Sequence, residues 1–255
     1  MEEDGEETDP SRFRICGLIG EGDFGIVSVC EDLKTNKKIA MKTEDHHIIP
    51  SQLLNEREVL RATHGSIGFP EYACFFDDGI SRSLGMTLLG ENLESLLTKC
   101  GGKFTLKTTL MIADQLLQRF EYLHKKSFLH EDVKPENFTI GPLGNENVLY
   151  VVDFGLSQRY RHPETGIHNT RSEGTRKKGN LRYLSVNGHL NESISRRDDL
   201  ESLAYMLVFF AKGSLPWVDI ETDSREKHLN MMKMLKMTTS VARICDGLPK
   251  EFEEF

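Results

Sequence analysis

The chain has 255 residues, of which 38% are hydrophobic and 28% are charged, and its formal net charge is −8. This length suffices for one large domain or for two lobes around a cleft. The composition is that of an ordinary globular protein, and the acidic balance argues against a general nucleic-acid-binding function.

The cysteines, the N-terminal segment and the longest apolar run indicate the cellular compartment of such a protein. The five cysteines are odd in number and form no C-x-x-C pair, so we expect reduced thiols rather than disulfides or zinc ligands. The acidic start MEEDGEETDP has no apolar stretch, so we expect residues 1–12 to be a disordered tail and not a signal peptide. The longest apolar run, LAYMLVFFA at 203–211, predicts a buried helix because it is too short to span a bilayer. We therefore expect a protein of the cytosol or the nucleus that does not bind membranes.

The first third of the chain has the pattern of strands. FRICGLIG and IVSVCEDL are joined by a glycine-rich turn, and KKIAMKTE follows them as a third strand. SQLLNEREVLRAT at 51–63 predicts a helix with Ser51 as its N-cap. YACFFDDG and SLGMTLLG predict two more strands around a turn at 77–81.

From about residue 91 the pattern becomes mainly helical. ENLESLLTKC predicts a helix, and 105–124 predicts a long amphipathic helix whose core-facing stripe would run from Leu106 and Leu110 to Phe120 and His124. NVLYVVDFG predicts a buried strand, and a polar loop at 157–184 precedes helices at about 197–211 and 224–237. The elements therefore predict a β-rich small lobe at 13–87 and a larger helical lobe at 88–255, connected through LLGEN.

The glycine run GEGDFGIV is the first motif with possible chemistry. A G-x-G-x-x-G spacing is by itself a weak signal. A strand pattern follows it here instead of a helix, so we expect Gly20, Gly22 and Gly25 to close a β-hairpin. Backbone N–H groups at such a turn could approach a polyphosphate closely, although an ordinary glycine turn explains the motif equally well.

Lys42 lies on the predicted strand IAMK. A lysine can hold phosphate oxygens as a point charge, but a strand lysine often only faces solvent. Glu56 and Glu58 on the following helix are both candidates for the carboxylate that would fix its position.

The stretch LHEDVKPENF at 129–138 gathers polar side chains between two apolar patterns. Asn137 and, further along the chain, Asp153 of VVDFG carry hard oxygen atoms that suit Mg²⁺. Asp132 would then accept a hydroxyl proton, and Lys134 could neutralise charge that develops on a transferring phosphoryl group. Each residue alone could be a turn or cap residue, but all of them in this order are poorly explained that way.

In order along the chain, the glycine motif with Val27, then Lys42, Glu56, HEDVKPEN and DFG resemble the protein-kinase signature set. Lys134, two residues after Asp132, resembles the lysine that serine/threonine kinases carry at this position. The strings LLGENLESLL, HEDVKPENF, LRYLSVNGHL, RRDDLESL and GSLPW are similar to the casein kinase I family, including its tau-tubulin kinase branch. The resemblance covers about residues 13–255.

The resemblance implies an α+β, bilobal protein kinase fold with ATP between a β-rich small lobe and a mainly helical large lobe. It implies a monomeric enzyme that transfers the γ-phosphoryl of ATP, with Mg²⁺, to Ser or Thr of protein substrates. Asp132, Lys134 and Asn137 would be the catalytic residues, with Asn137 and Asp153 as metal ligands. Met86 would be the gatekeeper, and Asp199 would anchor the catalytic loop above a structural His130. The implied nucleotide-binding residues are Ile19, Gly20, Gly22, Gly25, Val27, Ala40, Lys42, Glu56, Met86, Thr87, Leu89 and Asp153.

The sequence departs from the family in three places. Glu131 stands where an arginine usually helps to bind an anion, and Gln158 and Thr175 replace other basic residues, so we expect activity without a phosphorylated activation loop. The segment after Trp217 is less basic than in the family. The chain also ends at GLPKEFEEF, where the family continues for roughly two more helices, so we expect a C-terminally shortened large lobe.

A loop rich in basic residues has two possible interpretations. It could be an ordinary solvated surface or a binding surface for acidic or pre-phosphorylated peptides. Its basic residues are Arg171, Arg176, Lys177, Lys178 and Arg182.

Two other functions compete with the kinase interpretation. A pseudokinase would use the same fold as a binding or scaffold module, but it usually lacks the strand lysine or an essential aspartate, and both are present. A small-molecule phosphotransferase with a kinase-like fold is disfavoured by RRDDLESL and GSLPW, which resemble the protein-kinase branch.

Overall fold

The computed structural model describes residues 10–22, 25–170 and 179–255. The chain forms two compact units. The first runs to Gly90 and also contains Ile140–Ser157, and the second contains Glu91–Thr139 and Gln158–Phe255. The predicted acidic tail extended to residue 12, whereas Pro10–Arg12 form a short 3-10 helix in which Arg12 pairs with Asp32 at 2.6 Å. The remainder of that tail lies outside the described residues.

The first unit contains a five-stranded antiparallel sheet in the order β1-β2-β3-β5-β4. Helix α1 follows β3, and its Ser51 side chain accepts a hydrogen bond from the backbone N–H of Leu54 at 3.1 Å, as expected of an N-cap. Cys30, Met41 and Cys74 form a buried apolar cluster within this sheet. The bounds are β1 Phe13–Gly22, β2 Gly25–Asp32, β3 Lys37–Asp45, α1 Gln52–Ala62, β4 Tyr72–Asp77 and β5 Ser81–Thr87.

The second unit is mainly helical, so the predicted α+β class is confirmed. Its long helix α3 packs against α5, and the short strands β6 and β9 pair with each other. β7 ends in the first unit, which also contains β8. The bounds are α2 Leu93–Lys99, α3 Leu106–Lys125, β6 Phe128–Leu129, a 3-10 helix Pro135–Asn137, β7 Phe138–Ile140, β8 Leu149–Val151, β9 Gln158–Arg159, α4 Val186–Leu190, α5 Arg196–Lys212, α6 Arg225–Thr238, α7 Val241–Ile244 and α8 Glu251–Glu254.

The stripe predicted for α3 is partly wrong. Leu106 and Leu110 are 41% and 49% exposed, whereas Phe120 and His124 are buried as expected. A second stripe of residues one position away also has the helical period, and packing against the core selects it. Its buried members are Thr109, Ile112, Leu116, Arg119 and Leu123.

The apolar run LAYMLVFFA lies in α5, where Leu203, Met206 and Phe210 are completely buried. Within residues 10–22, 25–170 and 179–255, the helices are either too short or too polar to cross a membrane. The five cysteine side chains form no disulfide, and all of them lie in the described part of the chain.

Candidate active site

The glycine run forms a β-hairpin, not the start of a helix. Gly20 pairs with Val27 and Gly22 with Gly25 across β1 and β2. Gly25 has a φ of +121°, and a Cβ there would lie 2.0 Å from the backbone oxygen of Thr43 on β3. A side chain at this position would therefore collide with the neighbouring strand, so the glycine is a structural requirement of the hairpin. Residues 23 and 24 lie outside the described part of the chain.

Lys42 of β3 is at the centre of a charged cluster in the first unit. Its Nζ lies 2.9 Å from Glu56 Oε2 and 2.7 Å from Asp153 Oδ1. Glu56 is 1% exposed on the inner face of α1, whereas Glu58 lies on the exposed face. Glu56, which the resemblance implied in preference to Glu58, is therefore the helix carboxylate that contacts the lysine.

The electrostatics of this cluster depend on burial. Burial lowers the pKa of the Lys42 ammonium, but the charges of Glu56 and Asp153 outweigh this effect and raise its pKa above the ordinary value. Burial raises the pKa of Glu56, the charge of Asp153 adds to this, and Lys42 opposes it. One cation thus lies between two carboxylates, and the cluster keeps an excess of negative charge when all three groups are ionised.

The candidate adenine-binding residues lie where β5 ends. Ala40 of β3 pairs with Met86 of β5, and Met86 is only 7% exposed. The backbone N–H of Thr87 donates to the carbonyl of Glu71 at 3.0 Å, so this N–H is already used within the unit. Leu89 follows in the segment that leaves the sheet, and Ile19 and Val27 lie on the hairpin strands.

In the second unit, Asp199 anchors the loop that contains the predicted catalytic residues. Its carboxylate accepts the backbone N–H of His130 at 2.9 Å and that of Glu131 at 3.0 Å. His124 Nε2 lies 2.8 Å from the same carboxylate. Because all of these groups are buried, the loop is held to α5 and α3 by hydrogen bonds that are shielded from water.

The loop brings three predicted catalytic residues into contact. Asn137 donates its amide N–H groups to Asp132 Oδ2 at 3.0 Å and to the Asp132 carbonyl at 2.8 Å. Lys134 Nζ lies 2.6 Å from Asp132 Oδ2. Pro135 begins the 3-10 helix that turns Asn137 back towards Asp132, because its fixed φ suits the first position of a helix.

Each of the two predicted metal ligands carries an oxygen atom that suits a divalent metal ion. The amide nitrogen of Asn137 in the second unit is used by Asp132, so the amide oxygen is the atom left to bind a cation. In the first unit, Asp153 carries a carboxylate. Amide and carboxylate oxygens are the hard ligands that Mg²⁺ prefers, with phosphate oxygens and water completing its shell.

Glu131 occupies the loop as a buried carboxylate. It is 8% exposed and has a φ of 66°, which is a left-handed conformation rarely adopted by a residue with a side chain. Gln158 lies on β9 opposite Leu129, and Thr175 is outside the described residues. A buried carboxylate repels a phosphate group, so the predicted independence from a phosphorylated activation loop stays a prediction supported by charge.

A cavity of about 520 Å³ lies beside the catalytic loop in the second unit. Glu94, Glu136 and Arg182 are among its lining residues. Burial and the charge of Glu136 raise the pKa of Glu94, and Arg182 opposes this, so the three charges interact. The sequence interpretation included Arg182 but missed both glutamates, although the position of Glu136 between Lys134 and Asn137 could have indicated it. Four other predicted substrate cations lie outside the described residues, namely Arg171, Arg176, Lys177 and Lys178.

Gly179 joins this cavity to the catalytic loop. It has a φ of +84°, and a Cβ there would lie 2.3 Å from the Glu131 carbonyl oxygen and 3.3 Å from Asp132 Oδ1. The backbone at Gly179 therefore packs directly on the loop, and only glycine allows this approach.

The geometry agrees with a comparison against known families. The family model for the protein kinase domain matches residues 13–254. The match spans the glycine hairpin, the Lys42 cluster and the loop with Asp132, and it covers nearly the whole chain. The chain therefore belongs to the protein kinase domain family.

Proposed function

We propose that this chain is an ATP-dependent serine/threonine protein kinase. The observation that carries the proposal is the contact of Lys42 with both Glu56 and Asp153, because it joins three signature residues that are distant in sequence. Membership of the family supports protein kinase activity in general, together with the use of ATP, a divalent metal and protein substrates. The choice of Ser and Thr is proposed from Lys134, which stands two residues after Asp132.

We assign the nucleotide to residues of the first unit. Lys42, oriented by Glu56, would contact the α- and β-phosphates, and the backbone of Thr87 and Leu89 would contact the adenine. Asn137 and Asp153 are the proposed ligands of Mg²⁺, which would supply neutralising charge to the phosphates when bound. The remaining proposed nucleotide contacts are Ile19, Gly20, Gly22, Gly25, Val27, Ala40 and Met86.

Asp132 would act on the protein substrate. Its carboxylate would orient the hydroxyl of Ser or Thr and accept its proton, while Lys134 would neutralise charge on the transferring phosphoryl group. Lys134 and Asn137 both contact Asp132 Oδ2, so they fix the orientation of this carboxylate before substrate binds. The protein would therefore contribute mostly positioning and charge neutralisation.

Substitution of Asp132 by Asn tests this function. We expect Asp132→Asn to lower the transfer of labelled γ-phosphate to casein by about 10²–10⁴-fold, because the carboxylate that accepts the proton is lost. Asp114→Asn on the exposed face of α3 is the matched control and should leave the rate unchanged. The thermal shift with ATP and Mg²⁺ should persist in both variants. Equal transfer by Asp132→Asn and the wild type would contradict the assignment, and ATP binding without transfer by the wild type would favour the pseudokinase alternative.

The finer properties are proposed from the sequence. The five strings that resemble the casein kinase I family support that branch, with a small lobe at 13–87, a large lobe at 88–255, a monomeric state and a place in the cytosol or the nucleus. Arg182 supports a preference for acidic or pre-phosphorylated peptides, but Glu94 and Glu136 in the same cavity offset its charge. Phosphorylation of a peptide array by the purified chain would reveal the preferred charge around the acceptor residue.

A further inference from the structure

Lys236 is a buried lysine in the second unit that the proposed reaction does not use. It lies on α6 and is only 4% exposed. Its Nζ donates hydrogen bonds to the carbonyls of Leu184 at 2.6 Å and of Leu181 at 3.1 Å. Lysine is almost never buried unless its charge is compensated, so these contacts require an explanation.

Two aromatic rings complete the surroundings of this ammonium. Lys236 Nζ lies 5.0 Å from the ring centroid of Tyr205 and 5.0 Å from that of Trp217. The faces of such rings attract a cation. Trp217 also donates its indole N–H to the carbonyl of Arg182 at 2.8 Å. Lys236 and Trp217 together therefore bind three carbonyl groups within residues 181–184.

The segment 181–184 forms a turn next to the catalytic loop. The backbone N–H groups of Tyr183 and Leu184 both donate to the Asn180 carbonyl, at 3.1 and 2.9 Å. The turn begins two residues after Gly179, which packs on the carbonyl of Glu131. Part of the turn lines the cavity that also contains Glu94 and Glu136. The position of the turn therefore decides the shape of the cavity.

We propose that Lys236 is a positioning residue for the protein substrate, because its ammonium ties the 181–184 turn to α6 and thereby holds one wall of the cavity beside Asp132. This role in substrate binding rests on the proposed kinase function. The tie itself, by which we mean the two hydrogen bonds from Lys236 Nζ to the carbonyls of Leu181 and Leu184, is a property of the second unit. The lysine acts through the turn and does not touch the reacting atoms.

The protonation of Lys236 adds a consequence. Burial lowers the pKa of Lys236 to about 7, and the charge of Glu201 opposes this shift. The ammonium has three donors and is attracted by both rings, whereas the neutral amine has two donors and loses that attraction. The neutral amine nevertheless keeps one donor for each of the two carbonyls, and burial penalises only the charged form, so opening of the turn should become harder as the pH rises through about 7. The titratable and charged groups around it are Glu201 and Tyr205 on α5, His189 on α4, Arg182 in the turn, and His228 on α6 beside the same cavity.

Hydrogen exchange tests the tie without any need for activity. Lys236→Met keeps the apolar stem and removes the donors, so we expect the amides of Tyr183 and Leu184 to exchange about tenfold faster or more. Lys233→Met makes the same substitution on the same helix at a half-buried position and should leave these amides unchanged. If Lys236→Met fails to fold, the protection of these amides in the wild type, corrected for intrinsic exchange, should rise between pH 6 and pH 8.5.

Kinetics with casein test the consequence for substrate binding. Lys236→Met should raise the KM for casein about tenfold and leave the KM for ATP within about twofold, because the turn belongs to the second unit and Lys42 to the first. The KM of the wild type for casein should fall between pH 6.5 and pH 8, whereas that of Lys236→Met should stay flat. Lys236→Arg keeps a permanent charge, so it should restore part of the binding without the pH dependence.

The outcomes separate the two proposals. Unchanged exchange in the turn, or an unchanged KM for casein in Lys236→Met, would overturn the role of Lys236. A pH dependence that persists in Lys236→Met would overturn its titration as the cause. If the wild type does not phosphorylate casein or any array peptide, the proposed function fails, and the exchange measurements alone then decide whether the tie exists.

Discussion

Lys42 shows at the scale of single residues how the first unit stabilises a buried charge. Its ammonium is held between Glu56 and Asp153; burial lowers its pKa, and the charges of both acidic groups raise it. Asp153, two residues after the end of β8, reaches the lysine from a backbone with a φ of 63°. The cluster is therefore formed by three segments that are distant along the chain. Loss of one member should change the electrostatic environment of the other two.

Removal of the lysine should destabilise the protein as well as inactivate it. We expect Lys42→Met to lower the free energy of unfolding by roughly 3–5 kcal/mol at pH 7, because it leaves the buried Glu56 without its cation. The loss should shrink as the pH falls, since the pKa of Glu56 is raised by burial and protonation removes the uncompensated charge. Chemical unfolding between pH 5 and pH 8 measures both effects.

Glu58→Gln provides the control for this prediction. Glu58 lies on the exposed face of the same helix, so its substitution should change the free energy of unfolding by about 0.5 kcal/mol or less. An equal loss of stability in Lys42→Met at pH 5 and pH 8 would show that Glu56 is not the group left uncompensated.

At the scale of elements, the β1–β2 hairpin depends on close approach between neighbouring strands. Gly25 is opposite Gly22 in the register, and its backbone lies against Thr43 of β3. The sequence predicted the hairpin from the strand pattern after the glycines. The close approach of β2 to β3, which makes a glycine necessary at position 25, is seen only in the tertiary structure.

A pair of glycine substitutions tests this hairpin. Gly25→Ala combines a φ of +121° with a Cβ 2.0 Å from the Thr43 oxygen, so we expect a loss of about 2 kcal/mol or more in unfolding free energy. The KM for ATP should also rise, because the hairpin would shift. Gly17→Ala on β1, the other strand of the hairpin, meets open space and should leave both quantities nearly unchanged. Equal effects of the two substitutions, measured by chemical unfolding and by ATP titration, would contradict the steric argument.

Helix α3 illustrates a limit of element-scale prediction. The sequence correctly predicted its existence, its length and Thr105 as its approximate start. The choice between two adjacent stripes, however, depends on which face meets α5, and periodicity alone does not contain this information. The predicted stripe includes Leu106 and Leu110, and these two side chains lie exposed.

At the scale of the whole molecule, the buried Lys236 should make the stability of the protein depend on pH. Its pKa is lowered to about 7 in the folded state, so between pH 7 and pH 8.5 the unfolded chain binds more protons than the folded one. The free energy of unfolding should therefore rise with pH in this window. The expected slope is on the order of 1 kcal/mol per pH unit relative to Lys236→Met.

Chemical unfolding of the wild type and of Lys236→Met at several pH values measures this difference. The variant has no titrating amine at this position, so the comparison cancels the contributions of other groups. A difference in unfolding free energy that stays constant from pH 7 to pH 8.5 would show that Lys236 remains charged throughout.

The sequence by itself determined the α+β class, the order of the elements and the resemblance to protein kinases, because these depend on local periodicity and on signature residues at short spacings. It also indicated Lys42, Asp132, Asn137 and Asp153 as candidates. The tertiary structure decided which contacts form. The local pattern left both Glu56 and Glu58 open for Lys42, the resemblance favoured Glu56, and the structure shows that contact. The turn carbonyls that bind Lys236 were found only in the structure. Such pairings are set by packing between segments distant along the chain, and that packing leaves no regular trace in the local sequence.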